Sequence, residues 1–161
     1  MRIVAINGSP RKQGTTAKHI HEFIQTMANE RDAVEIYSLG DYPIGSCSGC
    51  EYCRSHEECS IDDSMQVLRE AIRSADVVII GTPSYFGQMT GLLKKFCDRL
   101  YPEYRGKGVS KLKGKPLYLI YTQHSDPEVY ADYRVATNRA LYGFLGFDIR
   151  KTLVNGIEVE V

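Results

Sequence analysis

Four cysteines, Cys47, Cys50, Cys53 and Cys59, fall within thirteen residues of this 161-residue chain, in the spacing C-x2-C-x2-C-x5-C. Two successive two-residue gaps let three thiolates of one short loop reach three corners of a cubane, and the fourth closes from downstream. Bacterial ferredoxins use a comparable triplet, although their next cysteine serves another cluster. Zinc ribbons split their ligands into two distant pairs, so the tight triplet favours a 4Fe–4S cluster over zinc. Unliganded thiols are the third state. Gly49, beside Cys50, allows the sharp turn such a loop requires.

A second constellation is Asn7-Gly8-Ser9-Pro10-Arg11-Lys12-Gln13-Gly14-Thr15-Thr16, directly after the apolar run Ile3-Val4-Ala5-Ile6. A buried strand enters a glycine-containing loop and a helix leaves it. Helix N-termini carry unpaired N–H groups and the positive end of the dipole, which suits an anion. Ser9, Thr15 and Thr16 add hydroxyls, Arg11 adds charge, and Gly8 and Gly14 permit close backbone approach. The stretch reads as a cradle for a terminal phosphate monoester. It is neither a Walker A loop, since Thr15 stands where lysine is needed, nor a G-x-G-x-x-G dinucleotide turn. An ordinary connection with Thr15 as N-cap is the plainer alternative.

A third stretch, Gly81-Thr82-Pro83-Ser84-Tyr85-Phe86-Gly87, follows another buried strand. Tyr85 and Phe86 offer stacking faces, and backbone N–H groups beside Gly87 suit the rim of a heterocycle. A pocket anionic at one end and flat at the other matches flavin mononucleotide (FMN): one phosphate, a ribityl chain and a tricyclic ring. Loop aromatics that merely pack the next helix are the alternative.

The elements that must position these residues follow from periodicity. Ile20, Phe23, Ile24 and Met27 share one face of a helix after the cradle. Val34–Tyr37, Val77–Ile80 and Leu117–Tyr121 read as strands, and Phe147–Val154 alternates as a fifth, half-buried one. Between Leu39 and Ile61 there is no period, which marks a cysteine-rich insertion at about 40–61. Asp63 with Gln66 predicts a capping box for a helix whose face is Met65, Leu68, Ile72 and Ala75. Leu92, Leu93, Phe96, Cys97 and Leu100 share another face, where Cys97 is a small core hydrophobe. Pro127 to about Leu145 reads as a helix of less clean period, and Asn155-Gly156 suggests a hairpin into Ile157–Val161. Alternating strands and helices predict one α/β domain over 1–161, a doubly wound parallel sheet of five strands in the order 2-1-3-4-5. Ligands of such sheets sit outside the carboxyl ends of the strands at the switch point, here between the first and third strands. Both loops leave those strands at that edge.

Composition narrows the classes. Twenty basic and twenty acidic residues give zero net charge, so neither nucleic acid nor a membrane surface is expected as partner. No apolar run approaches the ~20 residues of a membrane span. With no signal-peptide layout at the N-terminus, a cytoplasmic location is expected.

Gly8-Ser9-Pro10-Arg11-Lys12-x-Gly14, and Thr82–Gly87 followed by Gly91-Leu92-Leu93-Lys94-Lys95-Phe96-Cys97-Asp98-Arg99, resemble the NADPH-dependent FMN reductase family of flavodoxin-like proteins. The cysteine run is similar to that of the family's iron–sulfur flavoprotein branch. The resemblance covers roughly the first 120 residues. It implies an FMN-dependent oxidoreductase, with Ser9, Arg11, Gly14, Thr15 and Thr16 on the phosphate and Pro83, Ser84, Tyr85, Phe86 and Gly87, with Thr82, along the ring. NAD(P)H or reduced ferredoxin is the implied donor, a small molecule the acceptor, and a homodimer or homotetramer the assembly. Two departures stand out: Thr15 replaces a frequent asparagine, and Tyr121-Thr122-Gln123-His124-Ser125 replaces a glycine-rich loop. His124 there is a candidate to polarise ring or substrate. The basic run from Arg105 to Lys115 suits a nucleotide 2′-phosphate or an acidic ferredoxin, or is a solvated connection. A non-enzymatic flavodoxin-like carrier and a zinc-stapled domain without flavin are the rival classes.

Overall fold

Ile3–Ile6 and Val77–Ile80 are apolar at every position and buried on both faces, the pattern of parallel strands covered by helices on two sides. A computed structural model describes residues 1–104 and 110–160. The elements run β1 (Arg2–Asn7), α1 (Thr15–Met27), β2 (Ala33–Ser38), α2 (Tyr52–Ser55), α3 (Met65–Ser74) and β3 (Val77–Pro83). They continue with α4 (Gly91–Asp98), β4 (Pro116–Thr122), α5 (Ala131–Thr137), β5 (Asp148–Val154) and β6 (Ile157–Val159).

The sheet order is β2-β1-β3-β4-β5-β6. The first five strands are parallel, and β6 runs antiparallel to β5. The doubly wound architecture is therefore as expected, with one strand more than five. That strand follows the Asn155-Gly156 turn, where both residues have positive φ (51° and 83°), as a tight hairpin demands. Val161, at the end of the expected hairpin arm, lies outside the described residues.

On one face, Ile20 and Ile24 of α1 pack on Ile3, Ala5, Val77 and Ile79. On the other, α3 and α4 bring Leu68, Ile72, Leu93 and Phe96 against Val4, Ile6, Val78 and Ile80. The helix expected over Pro127–Leu145 is shorter and mixed: α5 passes into a π-helical stretch, Asn138–Gly143. A π-turn moves the apolar face out of the 3.6-residue step, which accounts for the unclean period. In β5 the register skips Arg150 between Ile149 and Lys151, a bulge that interrupts the alternation. Asp63 sits before α3 as expected and its N–H donates to Gln66 Oε1 at 3.0 Å. Its carboxylate, however, accepts from Met65 N at 2.9 Å, two residues on, and Ser64 occupies the N-cap position. Among the described residues no helix is long and apolar enough to cross a membrane.

Candidate functional site

The β1–α1 loop is built by its own polar side chains. Asn7 Oδ1 accepts from Ser9 N at 3.0 Å, and Ser9 Oγ from Arg11 N at 3.1 Å. From behind, Thr90 at the N-cap of α4 donates its hydroxyl to Gly8 O at 2.7 Å and accepts from Leu93 N. Gly8 has to be glycine: a Cβ there would stand 2.8 Å from Leu93 Cβ. Helix α1 begins after Gly14 with no side-chain cap and no acid in its first turn. Its leading N–H groups and dipole end are thus free for an anion, beside the exposed Arg11.

That helix end opens into a cleft of about 560 Å³, lined by Ser9, Arg11, Thr15, Thr16, Pro83, Ser84, Tyr85 and His124 among others. Ser9 and Tyr85, from the two loops singled out in the sequence, share it. Thr16 is buried, with its hydroxyl 2.7 Å from that of Thr122 at the end of β4.

Four other residues of the sequence expectation stand near the cleft without lining it. Gly14 is the N-cap of α1. Thr82 is buried in β3, its hydroxyl donating to Pro83 O and accepting from Thr90 N. Phe86 and Gly87 form the tip of a tight turn in which Tyr85 and Gln88 exchange both backbone hydrogen bonds, at 2.8 and 3.0 Å. Both tip residues have positive φ, 52° and 77°, as a type I′ turn requires. Phe86 is fully exposed there. Gly87 lies under Tyr130, which a Cβ would approach to 2.7 Å.

The cleft also takes His19, Thr122, Gln123 and Asn155, which sequence reasoning missed. His19 stands one helical turn past Thr15 and Thr16, so the i, i+3, i+4 rule places it on the cradle face; its Nδ1 is 3.1 Å from Glu22 Oε2. Asn155 pins the loop after β4: Oδ1 accepts from Gln123 N at 2.9 Å, and Nδ2 donates to Gln123 O at 2.8 Å.

All four clustered cysteines line a second, smaller pocket with Asp98, Arg99 and Tyr101. Gly49 and Glu51, on either side of Cys50, both have positive φ (66° and 57°). These two left-handed residues wind the loop tightly around Cys50, and a non-glycine residue held there is a strained one. Among the described residues no three His, Cys, Asp or Glu side chains stand at the spacing of a metal site. The thiols share a pocket without being preassembled. A hydrogen bond with Ser60 (Sγ···Oγ 3.3 Å) draws the Cys50 thiol below its ordinary pKa.

Buried charge anchors this loop. Glu103, with no exposed surface, accepts from Arg69 Nε at 2.7 Å and Arg73 Nε at 2.8 Å. The same two arginines hold Glu58, next to Cys59. Cys97 is buried in the core as expected. Of the basic run, 105–109 lies outside the described residues. Lys111 is paired with Glu57 at 3.4 Å, and Lys115 donates to the carbonyls of Arg73 and Ala75 at the end of α3.

The sequence pattern of the NADPH-dependent FMN reductase family matches residues 1–129. An iron–sulfur flavoprotein of Archaeoglobus fulgidus is 40% identical over 101 residues, 62% of this chain and 48% of that protein. An FMN-dependent NADH:quinone oxidoreductase of Burkholderia lata is 29% identical over a gapped alignment of 179 positions that covers 96% of this chain and 86% of that protein. A NADH:FMN oxidoreductase crystallised in its apo form is 27% identical, with a TM-score of 0.66 over 96% of this chain and 75% of that one. The chain spans about half the length of the iron–sulfur flavoproteins it matches.

Proposed function

The chain belongs to the NADPH-dependent FMN reductase family, and we propose that it is an FMN-dependent oxidoreductase passing electrons from NAD(P)H or reduced ferredoxin to a small, quinone-like acceptor. The observation that carries this reading is the shared cleft. Ser9 and Arg11 at one wall and Tyr85 at the other face the same space, with an uncapped helix end at its floor.

FMN bound there supplies both hydride chemistry and single-electron transfer. The residues hold and orient it. Ser9, Thr15 and Thr16 offer hydroxyl donors to the phosphate, Arg11 neutralises charge, and Gly14 lets the first turn of α1 approach. Pro83, Ser84 and Tyr85 form the wall for the ring, with Thr82 fixing the end of β3 behind them. The Phe86–Gly87 turn stands beside that wall, and Gly87 packs under Tyr130. Gln123 and His124 complete the rim, Gln123 being set by Asn155. No side-chain nucleophile is needed.

The donor set of the second pocket fits a 4Fe–4S cluster: soft thiolates of Cys47, Cys50, Cys53 and Cys59 suit iron–sulfur better than a hard cation. When bound there, such a cluster would supply one-electron exchange. The relative of 48% coverage named as an iron–sulfur flavoprotein supports the same assignment.

Anaerobically purified protein tests the whole reading. Expected are bound or reconstitutable FMN, iron and sulfide near four per chain, and NAD(P)H consumption that quinone accelerates. Colourless protein that refuses added FMN overturns it. Exchange with ferredoxin but none with NAD(P)H reassigns the donor and favours a carrier.

A further inference from the structure

Arg99, at the end of α4, is 1% exposed and lies in the wall of the cysteine pocket. A guanidinium has five N–H donors in a rigid fork. Four are accounted for: Nη1 donates to Gly45 O at 2.9 Å and Asp63 Oδ2 at 2.8 Å, and Nη2 to Ile61 O at 3.2 Å and Asp63 Oδ1 at 3.1 Å. The fifth, Nε–H, is buried and has no partner among the described residues. Leaving such a donor unpaired is costly, and native structures keep few of them. The fork is also locked, because Asp63 itself is held by Gly45 N at 2.7 Å and Met65 N at 2.9 Å.

We infer that Arg99 is a positioning residue of the sulfur site, whose Nε–H is reserved for a sulfur atom in the pocket: the Cys59 thiolate or a sulfide of the cluster it ligates. This rests on the cluster assigned above. The neighbourhood agrees. Arg99 and Cys59 line the same pocket, and the two-point bond to Asp63 keeps a carboxylate counter-charge on the guanidinium. Hydrogen bonds to cluster sulfurs withdraw electron density and raise the reduction potential. Arg99 therefore favours the reduced cluster, and Asp63 fixes it in place.

The test uses anaerobically purified, dithionite-reduced protein carrying arginine labelled with 15N at Nε. Pulsed electron paramagnetic resonance on the cluster signal is expected to show one 15N coupling, absent in Arg99→Lys, which keeps a charge and loses the Nε–H. The Arg99→Lys cluster is expected to titrate at a more negative potential. A cluster signal without 15N coupling in the unaltered protein overturns the inference, and needs no variant to fold. A coupling that persists in Arg99→Lys, or an unchanged potential at full iron content, does so equally. Protein lacking iron and sulfide would remove the cluster assignment and this inference together, an outcome distinct from a cluster signal lacking the coupling.

Discussion

Gly87 shows how one missing methyl group fixes the turn beside the cleft. Its φ of 77° is left-handed, and Tyr130 Cδ1 fills the space a Cβ would take, at 2.7 Å. Gly87→Ala adds the strain of a left-handed alanine, about 1 kcal/mol, to overpacking of about 1–3 kcal/mol. Urea unfolding is expected to show a loss near 2–4 kcal/mol by that sum, and a loss of only about 1 kcal/mol, the strain alone, would mean that Tyr130 moves freely. Cys97 makes a second residue-scale prediction. Burial pushes its thiol up to about 12, and burial raises the hydroxyls of Tyr121 and Tyr142 too. The native state thus holds these protons more tightly than the unfolded chain. Their stabilisation is complete below the unfolded thiol's pKa of ~8.5 and is lost as pH climbs from there toward 12. Urea midpoints are expected to fall steadily over that window. At pH 7, iodoacetamide should modify the four loop cysteines of metal-free protein and spare Cys97; equal labelling of all five contradicts the buried thiol.

At the scale of elements, the cysteine loop is held by charge rather than by periodic packing. Glu103 joins Arg69 and Arg73 of α3, and those arginines reach Glu58 in the loop. Glu103→Gln strips the buried counter-charge from two guanidinium groups, and breaking such a pair costs about 3–5 kcal/mol. Thermal unfolding should drop accordingly, with faster proteolysis between Glu51 and Ile61; a loss under about 1 kcal/mol would show that Glu58 alone suffices. None of this was visible as periodicity. Arg69 occupies the apolar face between Met65 and Ile72, where the pattern alone treats a charged residue as solvated, and only the position of Glu103 in space reveals its partner. Strands β1, β3 and β4 and helices α1, α3 and α4 were legible because each buries a continuous apolar face. The π-helical Asn138–Gly143 was not, since its face precesses. The two walls of the cleft could be read from loop chemistry at known strand ends. Asn155 could not: Asn-Gly announces a turn, and nothing local says that its amide will clasp Gln123 across two strands.

At the scale of the molecule, the cleft draws on five segments far apart in sequence: the loop after β1, helix α1, the loop after β3, the loop after β4 and the β5–β6 turn. A ligand seated there bridges all five segments, so it binds the folded chain and not the unfolded one. At 100 times its Kd, such a ligand adds ~2.7 kcal/mol. In a chain of this size each kcal/mol moves Tm by about 2–4 °C, so FMN is expected to raise Tm by roughly 5–11 °C. Riboflavin, which leaves the end of α1 and Arg11 without an anion, should raise it less at the same concentration. Asn155→Ala frees Gln123 and should reduce the FMN shift while leaving the difference between FMN and riboflavin intact, because the hydrogen bonds of the Asn155 side chain go to Gln123 and not to the cradle. Equal shifts from FMN and riboflavin would show that the helix end carries no phosphate.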